Sequence, residues 1–171
     1  MKKSIFYHFG LLVVLFCSCG PTDTRKSFNT PVEYNDYIIN ALNELDANYA
    51  KTLNNPDDKE NSIKLCGDLV KNSDATIVKL NAIQPYDGDS SLAMVVKDFA
   101  TYMKTIGQHD LPDFLNKLHK PDRNDNDQAE IDKIASKLDQ TYDNKWVKID
   151  ATQQTLANKF NFSLTPRIKT N

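Results

Sequence analysis

Apolar residues recur at helical spacing along most of the chain beyond residue 30, and this periodicity constrains the fold more than any other feature. Four such stretches are separated by turn signals, and no stretch shows the sustained alternation typical of a β-strand. Short turns between helices place successive helices antiparallel. The sequence therefore predicts an all-α, up-down-up-down four-helix bundle of long antiparallel helices over residues 30–162.

Capping and turn residues bound the first two helices. Thr30 is a typical N-cap, Pro31 suits the first helical position, and Glu33 completes a capping box. The turn residues Asn54–Asp57 end this helix. The second helix is expected over about Lys59–Ile83, and a turn follows it.

The third helix is expected to be kinked or broken. It begins near Asp89, and its apolar pattern weakens over Gly107–Pro112. Within that stretch Asp110 can cap a new helix with a proline in its first turn. The fourth helix is expected to begin at a capping box formed by Asp127 and Glu130, and to continue to about residue 162.

The first residues of the chain have the pattern of a secretory signal peptide. Two lysines follow the initial methionine, and a short apolar run over Ile5–Phe16 precedes small residues. This run is shorter than the ~20 residues of a membrane-spanning helix. The residues before Cys19 resemble a bacterial lipobox, although Phe16 stands where leucine is usual. We therefore expect cleavage of a lipoprotein signal peptide of residues 1–18 and lipidation of Cys19.

Cys17 is the other thiol near the cleavage point, but it would place the bulky Leu15 and Phe16 next to the cut. An ordinary secretory signal and an uncleaved anchor are the remaining alternatives. Two or more acyl chains on one protein give stable membrane attachment. Gly20 follows the lipidated cysteine, where an aspartate often retains lipoproteins at the inner membrane. The expected location is therefore the cell envelope, with the outer membrane favoured.

The rest of the chain divides into a flexible tether after the lipidated cysteine (19–29), the helical domain (30–162) and a loose C-terminal tail (163–171). The formal net charge of the whole chain is −2, and loss of the leader would remove two lysines. A mildly acidic chain of mixed charge argues against a nucleic-acid partner. Only Cys66 would remain beside the lipidated cysteine, so the domain is expected to fold without an intramolecular disulfide.

Two short motifs carry a family resemblance. Tyr34–Ile38, at the start of the first helix, and Leu156–Phe162, at the end of the last, resemble uncharacterised surface lipoproteins of Bacteroidota and spirochaetes. The resemblance implies an envelope location and a helical domain. It implies no activity and no functional residues.

No set of residues in the sequence predicts catalysis, a metal site or a cofactor. His109 and His119 lack the glutamate three residues earlier that a di-metal bundle requires. The loop Asp122–Asp127 opens like a calcium-binding EF-hand loop, but Lys133 stands where that loop needs a bidentate glutamate. Cys66 lies on an apolar helix face and is interpreted as a buried, inert residue.

Four aromatic residues, Tyr34, Tyr37, Tyr142 and Trp146, give the one mild indication of a binding groove, and core packing is the alternative. The sequence thus predicts a membrane-anchored envelope lipoprotein with a non-enzymatic helical domain that binds an envelope protein or surface component, or acts as a spacer. The alternative is a carrier of a small apolar ligand, with a pocket between the third and fourth helices near the Gly107–Pro112 break. A hydrolase of unfamiliar type is a third hypothesis, which no triad-like set supports. The oligomeric state is left open.

Overall fold

The structure, a computed structural model, describes residues 23–54 and 57–164. The predicted signal peptide, the lipidation site Cys19 and the tail beyond Leu164 lie outside the described residues. The described ranges contain five α-helices and no strand longer than an isolated bridge: α1 (Pro31–Leu53), α2 (Lys59–Asn81), α3 (Ser91–Gln108), α4 (Asp110–Leu118) and α5 (Asp125–Phe160).

These helices form the predicted antiparallel four-helix bundle. The predicted third helix is broken at His109 into α3 and α4, which confirms the break expected near Pro112. Helix α2 packs between α1 and α3, whereas α5 contacts α1, α3 and α4. Within the described ranges, no helix combines the length and apolarity needed to cross a bilayer.

The core is a single cluster of apolar side chains drawn from all five helices. Its largest fully buried members include Tyr34, Phe99, Met103 and Leu111. Burial of such side chains against one another is the main force that holds a bundle together. The predicted apolar stripes therefore face the interior, as their spacing indicates.

The start of α1 follows the prediction in part. The Thr30 side chain accepts a hydrogen bond from the Glu33 amide at 3.2 Å, and Pro31 is the first helical residue. The Glu33 carboxylate, however, accepts from the amide of Asn29 at 3.0 Å instead of completing the expected box with Thr30. This hydrogen bond holds Asn29, which precedes the N-cap, to the start of α1.

The predicted N-caps of the last two helices are wrong, by one residue for α4 and by three residues for α5. Asn124, not Asp127, caps α5: its side chain accepts from the Asp127 amide at 3.0 Å, and the Asp127 carboxylate accepts from the Asn124 amide at 3.0 Å. Asparagine caps a helix as well as aspartate does, so two overlapping boxes competed in the sequence. Asp110 lies inside α4 rather than capping it, and its carboxylate binds the Lys137 ammonium at 3.2 Å.

The described part of the predicted tether, Asp23–Asn29, lies against the bundle; we call it the N-terminal segment. The Lys26 amide donates to the Ala82 carbonyl at 2.8 Å, and the Gln84 amide donates to the Lys26 carbonyl at 2.8 Å. The Phe28 ring packs on Tyr34 and Tyr37 at 5.4 and 5.3 Å between ring centroids. This part of the chain is therefore held to the domain and does not act as a free linker.

Candidate functional site

One end of the bundle brings together aromatic and basic side chains from the N-terminal segment, α1, α2, α3 and α5. At this end, which we call the first end, α1 and α3 begin and α2 and α5 finish. The connection between α2 and α3 makes a tight turn in which Tyr86 and Asp89 exchange backbone hydrogen bonds of 2.8 and 3.2 Å. Asp87 and Gly88 in the middle have φ values of 47° and 76°, as in type I′ turns with an Asp-Gly pair.

Asp89 fixes this turn to two helices. Its carboxylate accepts from the Ser91 amide at 2.9 Å, from the Ser91 hydroxyl at 2.6 Å and from the Lys159 ammonium at 2.7 Å. The bond from Lys159, with those from Ser91, lowers the pKa of Asp89 to about 2. The carboxylate is therefore charged at neutral pH and serves as a structural anchor.

Tyr34 links the same turn to α1. Its hydroxyl donates to the Asp89 carbonyl at 3.1 Å, and its ring is fully buried. Burial, with the nearby negative charge of Asp89, raises the pKa of Tyr34 to about 12. A hydroxyl that stays protonated and donates to backbone is suited to holding the turn in place and not to acid–base chemistry.

An open cleft of about 460 Å³ lies between the N-terminal segment, the turn and the end of α5; we call it the aromatic cleft. Its rings are arranged edge to face, with 5.1 Å between the centroids of Tyr86 and Phe160. Amide, hydroxyl and carboxylate groups share its wall with the rings. The lining residues are Ser27, Phe28, Asn29, Gln84, Pro85, Tyr86, Asp87 and Phe160.

A second opening of about 360 Å³, the basic groove, lies between the end of α2 and the start of α3. Its floor is apolar and its rim carries Arg25 and Lys97. Arg25 is held by the Asp23 carboxylate, with a shortest contact of 2.6 Å, and this pairing lowers the pKa of Asp23 to about 2. The lining residues are Arg25, Tyr34, Leu80, Asn81, Ile83, Pro85, Ser90, Ala93, Met94 and Lys97.

Two further ammonium groups, from the N-terminal segment and from α2, lie over the Tyr37 ring. The Nζ atoms of Lys26 and Lys79 each lie 5.0 Å from the centre of the Tyr37 ring. Attraction between a cation and the face of an aromatic ring favours this arrangement. The end of α2 is thus surrounded by four basic side chains: Arg25, Lys26, Lys79 and Lys97.

The four aromatic residues singled out in the sequence do not form one groove. Tyr34 and Tyr37 lie at the first end, whereas Tyr142 and Trp146 lie in the middle of the bundle, with ring centroids 5.9 and 5.6 Å from that of Phe99. The Tyr142 hydroxyl donates to Asp46 at 2.5 Å and so joins α5 to α1. For this pair, core packing was the correct interpretation.

Sequence reasoning missed the residues that line the aromatic cleft. Phe28 falls in the predicted tether, Tyr86 in the turn after the second helix, and Phe160 near the end of the last predicted helix. The one available signal was the number of aromatic residues near turns. Their convergence depends on contacts between distant parts of the chain, which local periodicity does not encode.

Asp127, in the loop that opens like a calcium-binding loop, forms structural contacts. Both oxygens of the Asp127 carboxylate accept from the Lys120 ammonium, at 2.7 and 2.8 Å. Across the described ranges, no three His, Cys, Asp or Glu side chains converge to hold an ion. Cys66 is 1% exposed, as predicted, and burial raises the pKa of its thiol to about 11, so it remains protonated.

The helix break, where a ligand pocket was hypothesised, is closely packed toward α2. A Cβ atom on Gly107 would lie 3.1 Å from Cγ2 of Val70 and 3.2 Å from the carbonyl oxygen of Cys66. Leu111 and Leu115 next to the break are buried. The two clefts described above lie at the first end.

The fold and these clefts define an all-α bundle that has two open clefts at one end, one lined by aromatic residues and one with basic residues at its edge. Comparison of the chain with protein-family models, with curated proteins and with solved structures finds no match.

Proposed function

We propose that the chain is a membrane-anchored envelope lipoprotein with a non-enzymatic helical domain that binds an envelope component or acts as a spacer. The observation that carries this proposal is the position of Cys19, at the end of a short apolar leader with a basic start. The thiol is the nucleophile that takes up the diacylglyceryl group. Acyl chains then hold the domain at the membrane, where the outer membrane is the proposed location.

A binding or spacer role, and not catalysis, is supported by how the polar groups of the domain are used. Asp89, Asp127 and Tyr34 are bound to backbone or lysine and stabilise turns and helix starts. The aromatic cleft offers rings beside amide and carboxylate groups, which is the composition of a recognition surface. We propose this cleft as the contact for an envelope partner.

The test of the anchoring is metabolic labelling with a fatty-acid analogue in a bacterial host. Cys19→Ala should abolish incorporation of the label and leave unprocessed precursor, because no other sulfur stands at the cleavage point in the correct context. Cys17→Ala is the matched control and should still be labelled and processed. Labelling and normal processing of Cys19→Ala would refute the proposal.

The second candidate function is a carrier of a small apolar ligand between helices. The basic groove favours it, because its floor contains Leu80, Ile83 and Ala93 and its volume of about 360 Å³ falls within the usual range for small-molecule sites. Lys97 on the rim would favour an anionic head group. A fatty acid is therefore the ligand class that fits this groove.

The carrier hypothesis is tested by titrating a fluorescent fatty acid into the protein. Ala93→Leu should weaken binding of the fatty acid by about tenfold, because the larger leucine side chain occupies space at the floor of the groove. Val147→Leu, at an exposed position on α5, is the matched control. Absence of saturable binding to the unmodified protein would remove this candidate.

A further inference from the structure

We propose that the corner of the bundle around the end of α2 rests on the anionic lipid headgroups of the membrane to which the protein is anchored. We define this corner by its four basic residues, Arg25, Lys26, Lys79 and Lys97. The inference rests on the proposed lipidation of Cys19, and it adds an orientation and a lipid-binding surface to that proposal.

The first argument is the length of chain between the anchor and the domain. Cys19 precedes Asp23 by four residues, which span roughly 14 Å when fully extended. Lys26 is already fixed to Ala82 and Gln84 by two backbone hydrogen bonds of 2.8 Å. Because the N-terminal segment is held there, the end of α2 cannot move far from the bilayer surface.

The second argument is charge. The corner carries four basic side chains, of which two form ion pairs: Arg25 with Asp23 at 2.6 Å, and Lys79, whose Nζ lies 3.7 Å from a carboxylate oxygen of Glu44. Lys26 and Lys97 form no ion pair with any described residue; Lys97 binds the Asn81 amide oxygen at 3.1 Å. Positive charge within about 10 Å of a surface is attracted to anionic headgroups.

The lysines at the α4–α5 corner contrast with those near the end of α2. Lys117 lies 2.5 Å from Glu130, Lys120 lies 2.7 Å from Asp127, and Lys137 lies 3.2 Å from Asp110. Their charges are neutralised within the fold. Lys26 and Lys97, by contrast, lie near the attachment point and pair with no carboxylate of the described residues, so their charges are available to an external anion.

The third argument is the exposure of apolar side chains next to these cations. Met94 is 59% exposed and shares the basic groove with Arg25 and Lys97. Val78, one residue before Lys79, is 67% exposed. Apolar side chains beside lysines suit the boundary between headgroups and acyl chains, because the lysines contact the headgroups and the apolar side chains contact the acyl chains.

The experiment uses the lipidated full-length protein in vesicles of phosphatidylcholine, with or without phosphatidylglycerol. A fluorophore is placed on Met94→Cys at the corner, or on Leu53→Cys at the opposite end of α1, and quenching by a lipid-borne quencher is measured. Native Cys66 is buried and Cys19 is acylated, so the introduced thiol reacts selectively. Mass spectrometry of the N-terminal peptide first establishes acylation.

We expect strong quenching at position 94 in phosphatidylglycerol vesicles and little at position 53. Raising salt to about 1 M should reduce the signal at position 94 by screening, and this measurement requires no further variant. Lys79→Glu with Lys97→Glu should lower the equilibrium constant for contact of the corner with the bilayer, read from quenching at position 94, about tenfold or more, given the contribution of each basic residue near such a surface. Lys51→Glu with Lys64→Glu, at the other end, is the matched control and should change little.

The outcomes separate the two proposals. An acylated protein whose position 94 is quenched no more than position 53 would overturn the orientation and leave the lipid anchor intact. Equal effects of the two charge reversals, or no effect of salt, would also overturn it. An N-terminal peptide without acyl chains would overturn the proposed function, and the orientation with it.

Discussion

At the scale of single residues, Gly107 sets how closely α3 approaches α2. A methyl group there would meet the Cys66 carbonyl oxygen at 3.2 Å, and backbone cannot yield without a shift of the whole helix. We expect Gly107→Ala to destabilise the domain by about 1–2 kcal/mol, since overpacking outweighs the gain in helix propensity. Urea unfolding followed by circular dichroism measures this change.

Gly67 provides the matched comparison. It lies inside α2, and a Cβ atom added there meets nothing within 4 Å. Gly67→Ala should therefore stabilise the domain by about 0.5–1 kcal/mol through reduced freedom of the unfolded chain. If both substitutions increased the free energy of unfolding equally, α2 and α3 would be able to move apart at Gly107 without loss of stability.

Asp89 makes stability depend on pH. We expect Asp89→Asn to lower the free energy of unfolding by about 1–2 kcal/mol at pH 7, because the charged contacts to Lys159 and Ser91 are weakened. The folded-state pKa of about 2 lies below the unfolded value, so the carboxylate contributes fully above about pH 4 and loses its effect as pH falls through 2.

The measurement for Asp89→Asn is urea unfolding of both proteins at pH 7 and near pH 2. The difference between them should shrink at the lower pH, where the wild-type carboxylate is protonated. Asp87→Asn, at the exposed centre of the same turn, should have the free energy of unfolding of the wild type at both pH values. A difference that stays constant with pH would show that the charge of Asp89 is not what stabilises the turn.

At the scale of whole elements, α5 differs from the other helices in length. Its 36 residues extend for about 54 Å, and Asn124 and Asp127 cap its start reciprocally. Its last turn ends at Asn161, which has a φ of 54°, in the left-handed conformation that asparagine tolerates. Both ends of the long helix are thus defined by local chemistry.

The cap of α5 gives a prediction for that element. Asn124→Ala removes the acceptor for the Asp127 amide and should lower the free energy of unfolding by about 1 kcal/mol. Hydrogen exchange of the first-turn amides of α5 should accelerate more than exchange elsewhere. Asn126→Ala leaves the cap intact and should cause neither change. If Asn126→Ala lowered the free energy of unfolding and Asn124→Ala did not, the assignment of Asn124 as the cap would be wrong.

Local signals determined how well the sequence predicted each element. The helices and the break near Pro112 were predicted because spacing and proline act within a few residues. The start of α5 was misplaced because Asn124 and Asp127 both fit a capping pattern. Docking of Phe28 and convergence of Tyr86 with Phe160 were missed because they arise from contacts between distant segments, as does the basic corner.

At the scale of the whole molecule, the N-terminal segment couples the chain's start to the bundle. Lys26→Pro removes the amide that donates to Ala82 and should release the segment. We expect the Gln84 amide, whose partner is the Lys26 carbonyl, to exchange with solvent at least about tenfold faster, while the helices remain protected.

Lys26→Ala is the control for this substitution, because it keeps both backbone groups and removes only the ammonium. Its Gln84 amide should exchange at nearly the wild-type rate. If both variants exchange alike, the side chain over Tyr37, and not the backbone pairing, holds the segment.

The pairing of Lys26 with the end of α2 also sets an order of events during biogenesis. Its partners Ala82 and Gln84 are made only after the whole of α1 and α2 has been synthesised. In the exported form that we propose, a newly acylated terminus therefore stays loose until those helices have emerged and folded. The domain would therefore acquire a fixed orientation above the bilayer only as folding finishes.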